Sequence, residues 1–206
     1  MNDWAQAYGP FTGSLLVLFS CLAIPEYGVA YAILQAIFMI FYTYASHVFY
    51  HTIGSTYPLV YLNPHVGLHH DHYMELPRWL NLLIEALANF GSFVCLIGIQ
   101  YVAGLDLLSN TLILGAAFTY TFIHIVKYSI IGNEQHKEHH ANSYCNYGPE
   151  MLDALFGTRC SPDAPYQSLT GEIPYVVLGC GLAVGLKQLI APPPNPLLDA
   201  SPLQGV

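Results

Sequence analysis

The segment Tyr27–Ser46 carries no charged side chain. A helix needs about 20 apolar residues to cross the hydrocarbon of a bilayer, and this stretch supplies them. Lipid offers backbone N–H and C=O groups no partners, so such a segment must bond internally as a helix. Two further stretches read the same way. Leu82–Val102 contains a single acid, Glu85, and Leu107–Ile131 stays apolar until His124 and Lys127 near its end. Phe11–Ile24, framed by Pro10 and Pro25, is shorter and reads as a tilted, re-entrant or interfacial segment. No Lys or Arg precedes it, so it lacks the basic start of a signal peptide. Ile173–Ile190 is glycine-rich and of marginal length. Only 9% of the chain is charged, against about 25% in a soluble domain. The expected fold is all-α: a polytopic membrane helical bundle of roughly four to five spans. A single membrane-embedded domain is expected over residues 1–191, with a flexible proline-rich tail over 192–206.

The few charges carry orientation. Arg78, Lys127, Lys137 and Arg159 flank the spans on one side, whereas the turn Ala103–Leu107 has no basic residue and one Asp. Basic flanks mark the cytoplasmic side, so the chain is expected to be a multi-pass membrane protein with these segments in the cytosol. The net charge of −8 excludes nucleic acid as a partner, because phosphate recognition needs a basic footprint. The five cysteines are odd in number and form no Cys-x-x-Cys pair, which suggests buried thiols rather than a disulfide framework or a zinc knuckle.

Histidine is in excess, with ten residues against five Lys plus Arg. The sequence HVFYH places His47 and His51 four apart. HVGLHHDH gathers His65, His69, His70 and His72, and HKEHH gathers His136, His139 and His140. Residues three and four apart share a helix face, so each cluster can aim its imidazoles at one point. The hairpin between the third and fourth stretches puts every cluster on one side of the membrane, as a cytosolic histidine-rich helical cap. Imidazole suits zinc, copper, iron and nickel. One tetrahedral zinc takes about four ligands, so the supply fits a dimetal site better. Ionisable groups close to lipid are costly and are candidates for function; Glu85 could hold a histidine, but an acid at the watery end of a span is common.

With these residues the chain resembles the fatty acid hydroxylase superfamily, which includes sterol desaturases and fatty acid and sphingolipid hydroxylases. The resemblance rests on HVFYH, HVGLHH and HKEHH in this order and on the ending NYGPEMLDALFGT, and it is strongest over residues 40–160. It implies a membrane-bound non-haem di-iron oxygenase with His47, His51, His65, His69, His70, His136, His139 and His140 as ligands. His124 and His72 are further candidates, and Asp153 is a carboxylate that could orient a ligating imidazole. The chain departs from the family pattern in three places. Three residues separate His65 from the His69-His70 pair, Tyr128 stands where a second histidine could follow His124, and Leu152 and Ala154 replace the usual Trp and Arg around Asp153.

The resemblance further implies two iron ions (zinc being a possible substitute on isolation), a lipid substrate held in the bilayer, and two electrons from an external donor such as cytochrome b5. Arg78, Lys137 and Arg159 could dock such a donor. The endoplasmic reticulum would be the expected membrane in a eukaryote. Two other readings compete: a non-enzymatic membrane metal- or haem-binding protein, and a degenerate family member acting as a scaffold. Bunching of imidazoles at span ends disfavours haem, which needs single histidines facing each other across two spans.

Overall fold

The computed structural model describes residues 3–59, 63, 65–70 and 76–190. His72 and the proline-rich tail lie outside the described residues. Those described are helical, with no strand among them. Helix α1 spans Asp3–Tyr27, α2 Val29–His51, α3 Arg78–Ala103, α4 Asn110–Phe122, α5 Glu134–Ala141, α6 Glu150–Phe156 and α7 Ile173–Ile190. A wider-wound π-helical turn covers His65–His70, and α4 continues in the same winding over Ile123–Gly132. Five segments are long and apolar enough to cross a membrane: Asp3–Tyr27, Val29–His51, Arg78–Ala103, Asn110–Gly132 and Thr170–Ile190.

The first segment corrects the sequence expectation of a short piece bounded by prolines. Helix α1 runs through both Pro10 and Pro25. Proline removes a donor, so Pro10 and Pro25 leave the Gln6 and Cys21 carbonyls short of their helix partners, a loss that a long apolar helix tolerates. The chain then reverses at Gly28, whose φ of 74° is open to glycine at little cost.

Spans α1, α2, α4 and α7 share a core that includes Tyr8, Phe11, Met39, Leu112, Ile113 and Val176. Association within lipid relies on close van der Waals contact through small residues. A Cβ on Gly179 would lie 2.7 Å from the Thr119 backbone nitrogen, and one on Gly115 would strike Leu22. These glycines let α4 meet α7 and α1 closely. Meanwhile Leu34, Phe38, Leu83, Leu87 and Leu178 point outward and are exposed, the pattern of a surface matched to lipid.

One end of the bundle is closed by amides. Gln100 Oε1 accepts from the Leu107 and Leu108 backbone at 3.0 and 2.7 Å, and Gln35 Oε1 accepts from Ser109 N at 2.8 Å. An ion pair joins Glu26 to Lys187 at this end. The opposite end carries the histidines.

Candidate metal centre

The last turn of α2 brings His47 and His51 to one face. The π-helical turn adds His65 and His70, and α5 adds His139. Five ligand nitrogens from these residues lie within 4.8 Å of one another. The Nε2 atoms of His47 and His51 are 3.2 Å apart, those of His51 and His65 3.0 Å, and those of His51 and His139 3.1 Å. His139 is fully buried, and His47, His51 and His65 are nearly so. Such a cluster can hold a metal ion.

The π winding resolves the odd spacing in the second box. Its hydrogen bonds span five residues rather than four. Residues five apart therefore come to one face, and His65 and His70 are five apart. The side chain of His69 lies outside the described ones.

A second histidine group adjoins the first. His124 is buried, and its Nε2 stands 3.0 Å from Glu85 Oε1. Ser129 Oγ donates to the same carboxylate oxygen at 2.7 Å. His136 and His140 face each other with Nε2 atoms 3.0 Å apart. The His124 and His136 rings are 4.8 Å apart between centroids. His140 stacks on His70 at 4.3 Å, which joins the two groups. Tyr128, in the place of a further histidine, stacks on His136 at 5.1 Å.

Orientation comes from the loop between α5 and α6. A ligating imidazole needs one nitrogen inward and the other N–H held by an acceptor. The Nδ1 of His47 meets the carbonyl of Tyr147, and that of His139 meets the carbonyl of Cys145 at 2.7 Å. Backbone acceptors leave no signature in a sequence, so this pair of residues was not legible there. The loop itself is tied at several points. Asn146, at φ 52°, receives the chain's return, with Asn146 N donating to the Thr158 carbonyl at 2.7 Å and Cys160 N to Asn146 Oδ1 at 2.9 Å.

Three sequence expectations change here. Cys145 and Cys160 form a disulfide, where buried thiols were expected. The loop folds back on itself and brings together two cysteines whose spacing matches no motif. Asp153 bonds backbone and a hydroxyl rather than any described imidazole. Its carboxylate accepts from Tyr147 N at 2.9 Å, Gly148 N at 2.6 Å and Thr158 Oγ1 at 2.7 Å. It acts one step back, holding the Tyr147 carbonyl that faces His47. Burial pushes its carboxyl up to about 6, against the pull of those three hydrogen bonds. Arg159 is turned inward, its side chain 7% exposed, and so does not present a docking charge. Lys137 remains exposed beside Glu134.

Compared with models of protein families, with curated proteins and with solved structures, the chain matches none.

Proposed function

We propose that the chain is a membrane-bound non-haem di-iron oxygenase of the fatty acid hydroxylase superfamily, hydroxylating or desaturating a lipid with O₂ and two electrons from an external donor such as cytochrome b5. The observation that carries this reading is the convergence of five imidazoles from three separate segments at one end of an apolar bundle. The donor set fits the group. It is neutral nitrogen throughout the first cluster, a chemistry suited to iron among other transition metals. A second cluster with one carboxylate stands beside it, matching a two-ion count. Iron held there would supply the activation of O₂ and the removal of hydrogen from an unactivated C–H bond.

The rest falls to the chain. His47, His51, His65, His70 and His139 bind the first ion, and His124, His136 and His140 the second. The Tyr147 and Cys145 carbonyls fix the rings, and Glu85 fixes His124. Buried walls exclude bulk water from the ligands. The surrounding spans hold a lipid so that one carbon lies beside the cluster. In this reading the electron donor docks at the histidine end.

The test is lipid profiling under heavy O₂ of cells producing the wild type or the His139→Ala variant. A product carrying one heavy oxygen, or a new double bond, should appear with the wild type alone. Identical profiles, or full activity in protein stripped of iron, would overturn the reading.

A further inference from the structure

Cys145 and Cys160, fifteen residues apart, form a disulfide that links the two flanks of α6. Cys145 is also the residue whose carbonyl meets His139 Nδ1 at 2.7 Å. A covalent bond from its side chain thus holds the acceptor that orients a buried ring. Hydrogen bonds of the next residue share the task. Asn146 N donates to the Thr158 carbonyl at 2.7 Å, and Asn146 Nδ2 donates to the Gln135 carbonyl and to Glu138 Oε2, each at 3.1 Å. Asn146 and Thr158 are half-buried and Glu138 is exposed, so water competes for these bonds. The Tyr147 carbonyl that faces His47 is held separately, through Asp153. Cutting the disulfide therefore reaches His139 first. The two sulfurs differ in access. Cys145 is 6% exposed, whereas Cys160 is half-buried. A thiol can reach Cys160, and a freed Cys145 has an acceptor at hand, because its Sγ lies 3.3 Å from the Asn142 carbonyl oxygen.

We propose that the Cys145–Cys160 disulfide is a redox-sensitive clasp on the metal centre. Closed, it holds the Cys145 carbonyl against His139 and so retains the ion. Opened, it frees that ring and lets the ion leave faster. The clasp rests on the reading that the histidine cluster holds a metal, and not on the lipid reaction proposed for it. Opening is thiol–disulfide exchange. A thiolate of a small dithiol attacks Cys160 Sγ. A bond forms between those two sulfurs, the Cys145–Cys160 bond breaks, and Cys145 leaves as a thiolate that takes up a proton. The second thiolate of the dithiol then displaces Cys160, which takes up a proton in turn, and the dithiol ends as a cyclic disulfide. Two electrons have passed to the cysteine pair, and glutathione disulfide can take them back. The thiol poise of the compartment that this end faces then sets the hold on the metal.

The test uses the full chain in detergent, loaded with Fe(II) under inert gas. One portion is treated with dithiothreitol, which is then removed by gel filtration because it binds metals itself. Release of Fe(II) to bipyridine is timed by colour. Reduction should speed release by about tenfold, the low end for loss of an orienting partner, and glutathione disulfide should restore the slow rate. Cys145→Ser/Cys160→Ser should release at the reduced rate before and after dithiothreitol. In the metal-free protein, hydrogen exchange should rise on reduction over residues 136–146 and stay unchanged in α4 and α7. Equal release from the two states of the wild type would overturn the clasp even if reduction lowers the melting temperature, since the disulfide would then be structural only. A dithiothreitol effect that persists in the double variant would overturn it too, because its source would lie elsewhere. If the double variant does not fold, reversal by glutathione disulfide in the wild type decides. A chain that binds no metal ends the clasp and the metal reading together. A chain that binds metal but oxidises no lipid leaves the clasp to be judged on the release rates alone.

Discussion

The two histidine groups are built differently, although they share an edge where His70 stacks on His140. The first group uses nitrogen alone and is oriented by backbone carbonyls of one loop, that of Tyr147 for His47 and that of Cys145 for His139. Of the second, only His124 is set inside the bundle, since His136 and His140 lie on α5 with His139. His124 rides on α4's wide-wound extension and meets Glu85, an acid contributed by α3. Loop carbonyls thus orient two rings of the first group, and a carboxylate on a span orients one ring of the second. A loop tied by a disulfide and by the Asp153 carboxylate fixes geometry through the chain itself. A buried carboxylate fixes geometry through charge and also offsets the charge of a bound cation. The contrast teaches that the groups can be separated experimentally, because different parts of the fold support them.

The largest effect is expected from His139→Ala. This ring is fully buried in the first group, with its Nδ1 held by Cys145. Its removal should abolish turnover and release the metal of the first group, while expression falls little, since the bundle core lies elsewhere. Metal per chain, measured by mass spectrometry on purified protein, checks this. Glu85→Ala comes next and strikes the other group. Loss of a group that orients a ligand lowers metal affinity by about 10–100-fold. If each group holds one ion, as proposed, half of the bound metal should therefore become easy to chelate while the other half stays. Loss of both halves together would mean that the two groups are one site.

The sequence carried the parts of this picture that depend on side-chain chemistry at fixed spacing. Apolar runs marked α2, α3 and α4, and the boxes marked every described histidine of the first group. Proline misled at α1, because each ring removes a single hydrogen bond and a long apolar helix tolerates the loss. Within the second box, helical spacing favours residues three and four apart, and the π winding also brings His65 and His70, five apart, together. Nothing in local pattern announces that winding. The Cys145–Cys160 link and the two orienting carbonyls depend on how the loop folds back, a long-range property.

A smaller effect is expected from Asp153→Asn. The wild-type carboxylate accepts from Tyr147 N, Gly148 N and Thr158 Oγ1. Asparagine keeps one accepting oxygen and turns the other position into a donor, which opposes a backbone N–H. The turn should loosen and the Tyr147 carbonyl should drift from His47. Metal affinity of the first group should fall by about tenfold, at the low end for an orienting residue, and the Glu85-supported group should keep its metal.

The smallest effect concerns Tyr128, whose ring stacks on His136. Tyr128→Phe keeps the stacking and removes only the hydroxyl, so metal content and stability should stay within about 0.5 kcal/mol of wild type, as for changes that break no named interaction. Tyr128→His asks more. It places a further imidazole one helical turn from His124, on the group that has fewer nitrogens. If the second group is limited by its nitrogen supply, this variant should hold its metal more tightly than wild type against a chelator, with the first group unchanged. If Glu85 already completes the second group, the added ring should bring no gain, and the carboxylate is then the feature that distinguishes the two halves of the centre.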